Sequence, residues 1–213
     1  MKITVYNTKG WAGKTPIATN IALDREYAIG TNEPYHVLKE FIPKERLMSV
    51  DLNDPFPQIP ETIDIVFDLA GSISKTSKSI TSAIEQSDIV IVPIYNQATA
   101  IKSGLNTIAE VMTLNKNIVV VATKLMKWGK LDVFKDWSKS WDYKNIANHV
   151  KAQFGNNIPI LPLKYSKVFD TIFEKEKSIA QLMQMNGLNK YLYRGVSEQF
   201  NEIYKLIDTK NGK

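Results

Sequence analysis

Ile3-Thr4-Val5-Tyr6 leads through Asn7-Thr8 into Lys9-Gly10-Trp11-Ala12-Gly13-Lys14-Thr15, and this stretch decides the fold. A short apolar strand that empties into a Gly/Lys/Thr loop, followed by a helix, is a phosphate cradle. Glycines let the backbone curl so that successive N–H groups face an anion, and the helix adds its positive end. In such a loop Lys14 reaches the β- and γ-phosphates and the Thr15 hydroxyl holds Mg²⁺.

Apolar runs alternate with helix-like stretches along the rest of the chain. That alternation predicts an α/β fold, a largely parallel twisted sheet with helices on both faces. The expected strands are Lys2–Asn7, Tyr27–Gly30, Leu47–Asp51, Asp64–Phe67, Ile89–Pro93, Ile118–Thr123 and Ile158–Leu161. Helices are expected near Pro16–Leu23, Tyr35–Phe41, Ser77–Glu85, Ala100–Leu114, Tyr143–Phe154, Ser166–Met185 and Leu188–Ile207. The 213 residues suit one domain. Residues 128–141, rich in Lys and Trp, read as an irregular insertion.

Composition narrows the function. Hydrophobic content of 44% with 23% charged residues suits a soluble globular chain. No apolar stretch is long enough to span a bilayer and no signal peptide is visible, so a cytoplasmic location is expected. The absence of cysteine excludes disulfides, thiolate metal sites and iron–sulfur clusters. The net charge of +5 is compatible with salt-sensitive binding to duplex DNA and does not demand it.

The second chemical motif is Ile63-Asp64-Ile65-Val66-Phe67-Asp68-Leu69-Ala70-Gly71. A buried strand ending in an acid beside a phosphate loop is a Walker B pattern, and Asp68 is the candidate to hold Mg²⁺. Thr8 stands where a standard Walker A loop has its first glycine, and a second lysine, Lys9, heads the loop. Lys-Gly-x-x-Gly-Lys-Thr resembles the deviant Walker A motif of the ParA/MinD family of ATPases, closest to its plasmid partition members. Ser87-Asp88-Ile89-Val90-Ile91-Val92-Pro93-Ile94 is similar to a strand of the same family, and the likeness continues through Ala100–Val111 and Ile158–Leu182.

The resemblance implies an ATP- and Mg²⁺-dependent dimerisation switch with slow ATP hydrolysis. Two subunits would close face to face, with Lys9 crossing to the partner's nucleotide. Gly10, Trp11, Ala12, Gly13, Lys14, Thr15 and Pro16 would bind ATP, with Thr123 and Lys124 flanking the base. Thr-Lys-Leu-Met is not a guanine-reading sequence, so ATP is expected over GTP. The family's second strand usually ends in Asp-x-Asp-Pro; the preferred match is Thr31-Asn32-Glu33-Pro34, with threonine and glutamate in the two acidic places. The position expected to orient water then lacks a carboxylate, Glu33 is the candidate substitute, and with Trp11 and Pro16 the Thr31 departure points to impaired hydrolysis. The rival match, Asp51 to Pro55, lies one strand later.

Implied partners are a homodimer in the ATP state, non-specific DNA at a bacterial or archaeal nucleoid, and a centromere-binding, ParB-like protein, with no membrane. Candidate DNA contacts are Lys164, Lys167, Lys175, Lys177, Lys190 and Arg194, since lysines suit sequence-independent phosphate contact. Two departures lie in the loop itself. Trp11 replaces a glycine, and Pro16 lacks an N–H where an α-phosphate donor is expected. The rival readings are a MinD-like or protein-cargo positioning ATPase, and a degenerate nucleotide-binding scaffold.

Overall fold

The computed structural model describes residues 1–34, 36–71, 77–127 and 136–210, with Lys210 described by its backbone alone. Seven strands form one sheet: β1 (Lys2–Val5), β2 (Ala28–Thr31), β3 (Leu47–Ser49), β4 (Ile65–Asp68), β5 (Ile89–Tyr95), β6 (Ile118–Leu125) and β7 (Ile160–Lys164). Their spatial order is β3-β2-β4-β1-β5-β6-β7. Every described pairing is parallel, so the sheet is parallel throughout rather than largely so.

The helices are α1 (Lys14–Asp24), α2 (Lys78–Glu85), α3 (Ala98–Val111), α4 (Trp141–Phe154), α5 (Val168–Lys175), α6 (Ile179–Met185) and α7 (Gly187–Lys210). Strand side chains alternate between two cores, as a period of two requires. Ile3, Val5, Val66, Ile89, Ile91, Val119 and Val121 pack with α1, α5, α6 and α7. Ile65, Phe67, Val90, Val92, Val120 and Ala122 pack with α2, α3 and α4 on the opposite face. The same alternation turns Asp68 and Thr123 toward the α1 face, beneath the glycine loop.

Three expectations are corrected. Instead of a helix over Tyr35–Phe41, the described residues show a 3-10 turn, Val37–Glu40, which Pro43 follows. The stretch Ser166–Met185 is two helices, because Glu176 takes a left-handed φ of 55° and closes α5. Ser178 then opens α6 with a capping box to Gln181, satisfying two helix-end N–H groups at once. Of the irregular segment 128–141, residues 128–135 lie outside the described residues; Trp137–Lys139 is a 3-10 turn and Trp141 already belongs to α4.

Candidate functional site

The glycine loop leaves β1 at the centre of the sheet and enters α1 through Gly13, whose φ of 93° is left-handed. Only a residue without Cβ makes that turn without strain. Trp11, two residues earlier, takes φ 64° despite its side chain and stands 88% exposed. The indole therefore projects out of the loop. Pro16 is the third residue of α1, so its missing N–H costs no intrahelical bond.

The loop is held from both sides. The buried Asn7 accepts from the Lys9 N–H at 2.8 Å and donates to the Pro93 carbonyl at 2.7 Å. Thr8 meets Ser103 and Thr107 of α3, hydroxyl to hydroxyl, at 2.7 and 3.0 Å. On the α1 side, the Thr123 hydroxyl donates to the Ala12 carbonyl at 3.0 Å. Thr123 also borders the cleft, with its hydroxyl proton committed to the loop. The pairing of β6 with β7 slips between Ala122 and Leu125, and there Lys124, at φ 54°, turns outward with its ammonium 5.2 Å from the Tyr95 ring centre.

Lys14, Thr15 and Asp68 meet at the base of the loop. Burial lowers the Lys14 ammonium below its ordinary pKa, and the charges of Asp68 and Glu33 partly offset this. Its Nζ lies 3.4 Å from the Lys9 carbonyl. Burial pushes the Asp68 carboxyl up to about 6 and Glu33 adds to the rise, against the Thr15 hydroxyl bond and the Lys14 charge. Asp68 Oδ1 is buried and has no hydrogen-bond partner among the described residues. A buried carboxylate oxygen with an open lone pair, beside a threonine hydroxyl and an anion-directed lysine, fits a hydrated divalent cation.

β2 runs beside β4, and Thr31 pairs in register with Asp68. That register brings Glu33 to the wall of the cleft, whereas Asp51 and Asp54 follow the edge strand β3. Gly71 closes the same end: a Cβ there would come within 2.9 Å of the Thr8 carbonyl and 3.2 Å of Lys14 Nζ. The whole cleft measures about 770 Å³ and runs from Glu33 and Gly71, past the loop, to Leu163, Tyr165, Phe169 and Asp170. The last four were missed in the sequence, because nothing local marks the start of α5 as a wall facing Pro16 and Ile17.

The six basic candidates do not share one place. Lys164 is half-buried against α7, where a Cβ on Gly195 would lie 2.9 Å from its ammonium. Burial and the nearby Lys127 lower its pKa, and Glu198 opposes them. Arg194 pairs with Glu198 at 2.8 Å, with Lys190 one turn earlier on α7. Lys167 caps the start of α5. Lys175 and Lys177 lie at the other end of α5, beside Ser178, which bonds Asp24 at the end of α1 farthest from the loop.

A scan against family models finds no match, and a search of curated proteins finds none. Solved structures are similar. Apo McdA of Cyanothece superposes with a TM-score of 0.64 at 13% identity, over 93% of this chain and 98% of McdA. The cell division ATPase MinD of Pyrococcus furiosus gives 0.62 at 10%, over 95% and 99%. A protein of Borrelia burgdorferi described as a plasmid partition protein, bound to AMPPNP, gives 0.50 at 13%, over 94% and 98%. The chain therefore has the fold of ParA/MinD-type P-loop ATPases.

Proposed function

We propose that this chain is an ATP-dependent dimerisation switch of ParA type that partitions DNA, a plasmid or another mobile element. The observation that carries the reading is the meeting of Lys14, Thr15 and the orphaned Asp68 oxygen beneath a lysine-headed glycine loop. Lys14 neutralises the β- and γ-phosphates of ATP, and Thr15 and Asp68 hold Mg²⁺. When bound, Mg²⁺ stabilises charge on the transferring phosphoryl group. The N-terminus of α1 adds its dipole to the phosphates. Glu33 orients the attacking water in place of the carboxylate that Thr31 lacks, and a substitute displaced along the chain suits slow turnover. The AMPPNP and ATP complexes among similar structures agree with nucleotide in this cleft.

Two subunits close across their clefts in the ATP state, with Lys9 reaching the opposite site. The closed dimer then holds DNA without sequence preference through Lys164, Lys167, Lys190 and Arg194, and a ParB-like partner stimulates release. A second reading, positioning of a protein cargo, is favoured by two observations: Lys175 and Lys177 stand apart from the other basic groups, and Arg194 is already paired.

Fluorescence anisotropy of a random-sequence duplex at fixed salt separates the two. Binding with Mg·ATP that is lost with Mg·ADP and in Lys14→Ala supports the DNA switch. Equal or absent binding in both nucleotides removes it.

A further inference from the structure

We propose that Asn32 is a positioning residue for the Lys14 end of the cleft, holding the backbone of Ala70 and Gly71 at the distance that phosphoryl chemistry requires. This rests on the reading of the cleft as an ATP site. Asn32 follows β2 directly and is buried, at 2% exposure, one residue before Glu33. A buried amide with both ends bonded fixes whatever it joins. Its Oδ1 accepts from the Ala70 N–H at 2.6 Å, and its Nδ2 donates to Ser79 Oγ at 2.8 Å.

The bond to Ala70 has no substitute among the described residues. The Leu69 N–H reaches the Val5 carbonyl only at 3.4 Å, so the exit of β4 is loosely tied to β1. By contrast, the start of α2 is anchored twice over without Asn32: Ser77 and Ser79 hydroxyls both donate to the Leu52 carbonyl, at 2.7 and 2.8 Å. What Asn32 adds is therefore the grip on the strand exit. That exit carries Gly71, packed against the Thr8 carbonyl and Lys14 Nζ with no room for a Cβ. Through Asn32, the backbone beside Lys14 and the carboxylate of Glu33 are placed by one side chain and its neighbour.

The experiment compares wild type with Asn32→Leu, Asn32→Asp and Ser79→Ala. Three quantities are read: the dissociation constant of a fluorescent ATP analogue, single-turnover phosphate release, and amide exchange at Ala70. Asp keeps an oxygen facing the Ala70 N–H in either protonation state. Ser79→Ala keeps the Ala70 bond and removes the other. The expected result is phosphate release at least about tenfold slower in Asn32→Leu, with affinity within about threefold and Ala70 exchange about tenfold faster. Ala70 exchange in Asn32→Asp, and all three quantities in Ser79→Ala, stay within about threefold of wild type.

Normal release and normal Ala70 exchange in Asn32→Leu overturn the proposal. So does a Ser79→Ala defect equal to that of Asn32→Leu, which would make the amide a packing group for α2. If wild type binds the analogue and releases no phosphate, the hydrolysis reading falls instead. Ala70 exchange then decides alone: faster exchange in Asn32→Leu sustains the positioning role, and no difference ends it. Should Asn32→Leu fail to fold, Asn32→Ala, which also removes the oxygen facing the Ala70 N–H and adds no bulk, takes its place with the same expected and overturning results.

Discussion

The Thr123 hydroxyl donates to the Ala12 carbonyl at 3.0 Å, so the end of β6 holds the glycine loop from inside the fold. Both groups are buried. Thr123→Val keeps the shape and deletes the hydroxyl. A lost neutral hydrogen bond costs about 1 kcal/mol. We expect nucleotide affinity about fivefold weaker in Thr123→Val and unchanged in Thr123→Ser, read by titration with a fluorescent ATP analogue.

Asp68 gives the nucleotide-free protein a pH signature. Its carboxyl titrates near 6 in the fold against 3.8 in the unfolded chain. The folded state therefore holds the proton more tightly, and stability falls as pH rises from about 4 to about 6. The full difference is about 3 kcal/mol. Melting curves in EDTA should show Asp68→Asn equal to wild type near pH 4 and more stable above pH 6. Mg·ATP should reverse that order by stabilising wild type alone.

Gly71→Ala tests the closeness of the β4 exit to the loop. The added methyl would meet the Thr8 carbonyl at 2.9 Å, which is backbone and yields little. Overpacking of this kind costs about 1–3 kcal/mol. The strain falls on the Lys14 end of the cleft, so isothermal titration should show ATP binding weakened at least about tenfold while the far-UV spectrum is unchanged.

Trp11 is an optical reporter. Its indole borders the cleft and is otherwise in solvent. Adding Mg·ATP should change tryptophan emission, and the change should vanish in Trp11→Phe while binding persists. A full signal in Trp11→Phe would assign it to Trp128, Trp137 or Trp141 instead.

Arg25 tethers the end of α1 to α7. It grips Asp208 with both terminal nitrogens, at 3.2 and 2.9 Å, and lies 4.6 Å over the Tyr204 ring. The ion pair is partly exposed and contributes about 0.5–1 kcal/mol, less at high salt. Arg25→Ala also loses the ring contact, worth about 0.5–1 kcal/mol more. Denaturant melts should therefore rank Arg25→Ala below Asp208→Ala, with only the ion-pair part sensitive to salt.

How much of this was legible depended on distance along the chain. The glycine loop and Asp68 could be read because each motif is contiguous and each role needs a specific residue type. Asn7, Ser103 and Thr107 could not, since they meet across 96 to 100 positions and are individually ordinary polar residues. Asn32 was hidden inside a motif match that weighed only its neighbours, Thr31 and Glu33. The break between α5 and α6 was written in the sequence as Ser178-Ile179-Ala180-Gln181, a capping-box signature overlooked within a long apolar pattern. Lys175 and Lys177 looked like partners of Lys164 only because sequence proximity says nothing about which end of a helix faces the sheet's working edge.

Helix α1 has 11 residues, about 16 Å of rod. Its first turn carries Lys14 and Thr15. Farther along, Asn20 accepts from the Ile179 N–H at 2.8 Å and donates to the Tyr204 hydroxyl at 3.1 Å, while Asp24 accepts from Ser178. A rod fastened at one end to α6 and α7 cannot be tugged at the other without levering them. The outer helices are thus mechanically geared to the loop, and a shift of α1 along its axis would be felt on the side of the molecule away from the cleft mouth.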